Sequence, residues 1–447
     1  MAASCQRQQR QGERQSCKNP RVRRFVIDLT PLRQSTDFRA VFTAGMITSI
    51  GSMITYVALP FQVAELTDSY LAVGLIGLAE VVPLIVFGLY GGALADAADR
   101  RLMVIGTEMA AAVIMLVLLV NSLLPDPHLW ILYLCAMLLA ANSGLQRPSL
   151  DAITPRVVPH DLLASAGALN TLRWNLGSIA GPAIGGLLLA SGGSSTAYAI
   201  DLLSFIASIA ILWRLSPIRP TQQARRRPSL RPIVEGMRYA MSRRDLMGTY
   251  LVDLAAMIFA FPYALFPFLA TSLDATWALG LLYAAGSVGG IAVTLTSGWV
   301  SRIHRHGRAI VVAAAAWGLS IALAGLAMGA GPASLWLILV MLACAGGADM
   351  VSGIFRGLMW NQTIPDDVRG RMAGIEMLSY SIGPLLGQVR ASTMASMTSL
   401  RFSLAGGGFM CVIAVAAVAV AIPALWRYDA RTDEHAQRQR NLHADDA

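Results

Sequence analysis

Apolar residues in this chain come in long unbroken runs rather than in alternation with polar ones. A helix needs about 20 apolar residues to cross the core of a bilayer. Twelve runs meet that length, at roughly 38–60, 71–92, 102–124, 129–147, 164–191, 196–214, 246–269, 277–300, 308–329, 333–356, 371–397 and 402–426. Strands of a membrane barrel would be shorter and would alternate. The pattern predicts an all-α membrane protein with 12 transmembrane helices.

The polar segments between the runs sort by charge. The odd connections, 61–70, 125–128, 192–195, 270–276, 330–332 and 398–401, hold one Lys or Arg between them, Arg401. The other side receives Arg100-Arg101, Arg156, Arg302 to Arg308, Arg369 to Arg371 and both chain ends. Basic residues are retained on the cytoplasmic side. This asymmetry predicts a multi-pass protein of the inner or plasma membrane with both termini cytoplasmic. The expected organisation is a disordered basic arm (1–37), a six-helix bundle (38–214), a cytoplasmic central loop (215–245), a second six-helix bundle (246–427) and a cytoplasmic tail (428–447). The first run is expected to act as an uncleaved anchor. A short amphipathic surface helix is expected at Glu235 to Tyr239.

Composition agrees with immersion in lipid. Only 14% of residues are charged, against roughly 25% in soluble domains, and the mean hydropathy is +0.56. The net charge is +9, and Lys18 is the only lysine. A P-loop places a lysine on nucleotide phosphates, so a built-in ATP motor is excluded, as is Schiff-base chemistry. The arginine clusters of the central loop suit anionic lipid heads and topology setting better than nucleic acid. The five cysteines, Cys5, Cys17, Cys135, Cys344 and Cys411, lack metal-ligand spacing. His304-Arg305-His306 reads as a solvated basic loop. No histidine falls inside a span and no nucleophile–base or metal constellation is clustered there, which argues against a membrane-embedded enzyme. No metal, cofactor or catalytic site is expected.

The two halves echo each other. Pro159-His160-Asp161-Leu162 and Pro365-Asp366-Asp367-Val368 each lead into a Gly-Pro-x-x-Gly helix, Gly181 to Gly185 and Gly383 to Gly387. Gly92 to Arg101 is faintly repeated at Gly298 to Arg308. Such duplication suits two bundles that expose one midplane site alternately.

The segment Gly92-Ala93-Leu94-Ala95-Asp96-Ala97-Ala98-Asp99-Arg100-Arg101 resembles the cytoplasmic loop motif of the major facilitator superfamily, departing from it at Ala97 and Asp99, where Arg and Gly are usual. Gly177-x-x-x-Gly181-Pro182-x-x-Gly185-Gly186 resembles that family's antiporter motif, with Ala168 in place of its upstream glycine. Further phrases, among them Ser49 to Met53, Ala58 to Gln62 and Pro365 to Arg371, resemble the branch holding the enterobactin exporter and actinobacterial multidrug exporters, over roughly 38–427. The resemblance implies the major facilitator fold of two six-helix bundles. It implies a cytoplasmic gate of Gly92, Asp96, Arg100, Arg101 and Asp151, with Arg100 pairing to a carboxylate such as Asp151. It also implies export rather than uptake.

Charges within spans are costly and mark function or structural pairing. Glu80, Asp253 and Asp349 are candidate proton carriers, and Arg173 is a candidate counter-cation or anchor for an anionic group of the substrate. Each carboxylate can equally serve as a static ion pair. Glu376 lies nearer the interface, and Glu108 and Asp201 nearer helix ends. Asn142, Asn170 and Asn175 are candidate wall residues. The aromatics Phe259, Phe261, Tyr263, Phe266 and Phe268, around Pro262 and Pro267, either line a cavity or face lipid.

The reading is a monomeric secondary active exporter. It exchanges a small amphipathic molecule, a siderophore or drug, for coupling protons. A proton-coupled importer on the same fold and a non-transporting scaffold are the alternatives.

Overall fold

The computed structural model describes residues 28–97, 99–216 and 238–445. Among these the chain is helical with no strands. The long helices are α1 (Thr36–Thr67), α2 (Tyr70–Ala97), α3 (Arg100–Ser122), α4 (Leu129–Val157), α5 (Leu163–Leu212), α6 (Arg244–Ala260), α7 (Leu279–Leu295), α8 (His306–Ala327), α9 (Ser334–Thr363), α10 (Asp366–Met397) and α11 (Leu400–Ala421). Ten helical segments among the described residues are long and apolar enough to cross a membrane. α5 runs 50 residues through a break at Gly193, whose φ of 66° and ψ of −173° suit only glycine. Taking its two arms separately, and adding the 32-residue α10, accommodates the twelve runs of the sequence.

Several boundaries differ from expectation. Residues 30–37, assigned above to the arm, are helical: Pro31 starts a short helix, Thr30–Gln34, and the Ser35 hydroxyl then caps α1 through the Phe38 N–H at 3.0 Å. The tail forms a helix, Glu434–Asp445. Residues 1–27 and most of the central loop, including Glu235, lie outside the described residues. The seventh run is not continuous. α6 stops at Ala260, a 3-10 turn covers Tyr263–Leu265, and a second helix covers Phe266–Ser272. Pro262 carries no N–H for the carbonyl of Ile258 and so breaks the ladder.

Helix pairing repeats between the halves. In the first, α1 packs on α5, α2 on α4, and α3 on both α4 and α5. In the second, α6 packs on α10, α7 on α9, and α8 on both α9 and α11. The halves meet through α2 with α10 and α5 with α7. Small residues permit these approaches. Gly91 and Gly144 bring α2 and α4 together backbone to backbone: a Cβ on Gly91 would stand 2.6 Å from the Gly144 carbonyl oxygen. Long apolar side chains still face outward, with Val82 65% and Val420 80% exposed. Water penalises such a surface and lipid does not.

Candidate functional site

The glycines of the antiporter-like motif lie along one line of α5 and against α1. Gly177 abuts Ser49, Gly181 abuts Met53 and the Ile50 carbonyl, and Gly185 abuts Ile54. Gly186 turns the other way, onto Gly280 of α7 in the opposite half. Gly383 and Gly387 repeat the arrangement in the second half, against Met257 and Phe261 of α6. The four glycines of α5 therefore sit at close helix approaches, with Gly186 placed at the junction of the halves.

Between the halves lies a cavity of about 520 Å³, within the usual range for small-molecule sites. α1 to α5 form most of its wall, and Ser381, Leu385 and Gln388 of α10 close it from the second half. It runs from Tyr56 and Pro60 to Val41, Leu150 and Leu212, which lie toward the arginine-rich ends of their helices. Glu80, Asp151 and Arg173 all line it. Asp151 is within electrostatic reach of Arg147 and Arg173. Gly45 makes room for Arg173: a Cβ there would stand 3.1 Å from its Cζ.

Two carboxylates placed near helix ends by sequence turn out to be deep in this wall. Asp201 is fully buried, accepting hydrogen bonds from Thr55 at 2.5 Å and Ser204 at 3.0 Å. Glu108 is 4% exposed and accepts from the Gln146 amide at 2.7 Å. Asp201 sits eight residues beyond the Gly193 break and Glu108 eight residues into α3, about 12 Å along either helix. Arg147 was likewise missed; it lies over the Tyr380 ring at 5.3 Å, a contact between the halves on the arginine-rich side.

Asp253 does not line this cavity. It pairs with Arg356 of α9, and Asp349 stands 3.8 Å from the same guanidinium. Asp253 and Asp349, candidates singly in the sequence, thus form one cluster with Arg356 inside the second half. Asn142 lines the cavity, whereas Asn170 donates to Thr154 at 3.3 Å. The side chain of Glu376 lies outside the described residues.

At the face opposite the arginines the halves are sealed by aromatic rings. Tyr56 meets Tyr263 and Tyr283 edge-on, at 6.3 and 5.9 Å between centroids, and Phe261 and Phe266 pack on Tyr263. Tyr70 lies 4.3 Å from Phe268. The aromatics of the broken seventh run therefore neither line the cavity nor face lipid as a set: Phe266 is fully buried, and the cluster forms a plug. Arg390 of α10, which no motif marks, secures the break beneath them. Its guanidinium donates to the carbonyls of Ile258 and Phe259, supplying the Ile258 carbonyl with the donor that Pro262 lacks, and also to the carbonyl of Ser403 on α11.

In the gate motif, the surroundings of Gly92 and the side chain of Asp96 lie outside what the structure describes. Asp99, a departure from the family pattern, caps α3 by accepting the Arg101 N–H at 2.9 Å. Arg101 donates to the Trp213 carbonyl at the end of α5, at 2.7 Å, and Arg100 is buried. Among the described residues no group of three His, Cys, Asp or Glu could hold a metal ion.

Comparison with known proteins places this geometry in context. A family model described as transmembrane secretion effector matches residues 27–445. The enterobactin exporter EntS of Shigella boydii serotype 18 is 29% identical over 391 residues, covering 87% of this chain and 92% of that protein. EntS of Escherichia coli O1:K1 is 28% identical with the same coverage. Among solved structures, a bacterial homologue of the iron transporter ferroportin in an inward-facing state matches with a TM-score of 0.67 at 14% identity, covering 87% of this chain and 98% of that one. The nucleoside transporter NupG matches with a TM-score of 0.67 at 12% identity, covering 88% and 99%. These two likenesses concern the fold.

Proposed function

Because this chain belongs to the transmembrane secretion effector family of major facilitator transporters, a multi-pass and non-enzymatic class, we propose that it exports a small amphipathic, siderophore-like molecule in exchange for protons. The observation that carries the reading is the cavity between the halves, closed by aromatic rings at one end and lined by Glu80, Asp151 and Arg173. A pocket closed at one end and reached by both halves suits alternating access. Export as the direction, and a siderophore as the cargo, follow from the curated relatives, which are enterobactin exporters.

In this mechanism 38–214 and 246–427 rock as two bodies in a monomer set in the inner membrane, with the arginine-rich face in the cytoplasm. Cargo enters the cavity from the cytoplasm, and Arg173 holds an anionic group on it. Rocking breaks the aromatic plug and closes the cytoplasmic side. Gly92, Asp96, Arg100, Arg101 and Asp151 latch that closure. A proton from outside then binds a midplane carboxylate, with Glu80 in the cavity and the Asp253–Arg356–Asp349 cluster as the candidates. Protonation removes a charge from the low-dielectric interior and permits the return. Gly177, Gly181, Pro182, Gly185 and Gly186 keep α5 close enough to α1 and α7 to carry the motion.

The test is counterflow of enterobactin, as first probe, in proteoliposomes under an imposed pH gradient. Glu80→Gln or Asp253→Asn abolishes gradient-driven counterflow while the protein stays monodisperse. Wild-type counterflow in both variants overturns the proton assignment. Intracellular accumulation of the cargo in a deletion strain supports export, and its depletion overturns it.

A further inference from the structure

We propose that a second pocket, at the arginine-rich face and remote from the central cavity, is a binding site for a phosphate-bearing anion. It lies between the Ser297–Arg302 turn, the end of α9 and the tail helix Glu434–Asp445, and encloses about 740 Å³. That volume exceeds what a single ion fills and suits a small polar molecule or a lipid headgroup. His304, His306, Arg431 and Arg440 line it together with Asn361 and Gln362.

Two buried polar atoms in its wall have no partner. His306, read from sequence as solvated, is only 4% exposed; Phe355 and Tyr428 flank its ring with centroids at 5.3 and 6.0 Å. Its Nδ1 makes no hydrogen bond, and neither does Oε1 of Gln362. Buried polar atoms are nearly always paired; the His306 ring has only the Ile303 backbone within reach, so unsatisfied atoms on two residues that line one pocket point to a ligand. No tail carboxylate hydrogen-bonds either atom. Asp429, within electrostatic reach of His306, accepts the Arg431 N–H at 2.9 Å, and Asp433 accepts the Ala436 N–H at 2.9 Å. Arg440 spends one N–H on the Arg431 carbonyl at 3.3 Å and keeps the remainder of its fork.

The ligand chemistry follows from these donors and acceptors. Two guanidiniums and a histidine select an anion with several oxygens, and arginine pairs with phosphate through two parallel hydrogen bonds. The lone acceptor of Gln362 takes a hydroxyl, which a monoprotonated phosphate also offers. Because Ala436, Gln439 and Arg440 form one wall, the bound anion fixes the tail helix against α9. The same chemistry could arrive as a soluble phosphate compound or as the headgroup of an anionic phospholipid at the bilayer surface.

The full-length protein separates these sources. Thermal melts in neutral detergent, at constant ionic strength, compare chloride with inorganic phosphate and pyrophosphate; melts in nanodiscs compare zwitterionic lipid with lipid containing phosphatidic acid. The site predicts a higher Tm with phosphate groups, and at least tenfold weaker binding in Arg431→Gln with Arg440→Gln. Gly298→Leu provides a variant that leaves the charges alone. Gly298 lines the pocket and a Cβ there meets nothing within 4 Å, so leucine is accepted at its first atom, adds bulk at the pocket wall and is expected to weaken the effect. Stabilisation by soluble anions identifies a metabolite site, and stabilisation by phosphatidic acid alone identifies a headgroup site. Equal stabilisation of wild type and both variants, or none from either source, overturns the proposal.

Discussion

The junction of α5 with α7 offers a direct way to bias the two halves. Gly280 faces the Pro182 carbonyl so closely that a Cβ would stand 2.9 Å from the Ala183 Cα and 3.0 Å from the Pro182 carbonyl carbon. Carbon atoms prefer about 3.5–4.0 Å. Gly280→Val therefore forces the seam to widen by about 0.5–1 Å or to separate, at the usual overpacking cost of about 1–3 kcal/mol. That cost falls only on the arrangement in which the glycines touch. Expressed as a population, it favours the form separated at the aromatic face by roughly 5- to 150-fold. The assay is a spin-label distance between Glu65→Cys and Ser272→Cys, exposed positions near the ends of helices in different halves on that face, in a background lacking the five native cysteines. Gly280→Val should shift the distribution to longer distances. Gly106→Ala, where a Cβ meets nothing within 4 Å, should leave it unchanged. An unaltered distribution in a folded Gly280→Val protein would refute the claim that this contact holds the face closed.

Two further outcomes concern the buried charges. Arg356→Met takes the guanidinium away from the buried Asp253 carboxylate and should destabilise the protein by about 3–5 kcal/mol, while Asp253→Asn combined with Arg356→Met should recover most of the loss; detergent melts check it, and a double variant no better than the single contradicts it. Arg390→Lys should lower stability by about 2–3 kcal/mol, since one ammonium cannot reach carbonyls on α6 and α11 together and a buried acceptor left unpaired costs about 1–3 kcal/mol. A wild-type melting profile for Arg390→Lys would show that the break in the seventh run needs no such support.

Much of the architecture can be read along the chain because lipid leaves few alternatives. Every run must be helical to satisfy its own backbone, and glycine spacing such as Gly177, Gly181 and Gly185 identifies the packed edge of α5. The site was less legible, for reasons particular residues show. Asp201 and Glu108 look close to water when depth is counted along one helix, but Thr55 and Gln146 reach them from neighbouring helices. Asp253, Asp349 and Arg356 are visible as charges, yet their cluster depends on how α6 meets α9. Pro262 announces a possible break, but the arginine that makes it tolerable sits well over a hundred residues later, on α10. His306 looks solvated beside two arginines, and only the packing of Phe355 and Tyr428 buries it.

Three of the connections opposite the arginine-rich face are very short. Two residues, Asp68 and Ser69, join α1 to α2, two join α10 to α11, and Gly193 alone joins the arms of α5. An extended residue spans at most about 3.6 Å, so helices tethered in this way cannot drift apart at that rim. A mouth there is freer to open along borders that no short turn bridges, among them α2 against α10 and α5 against α7. Covalent geometry thus chooses the doorway before a cargo molecule or an ion exerts any force on it.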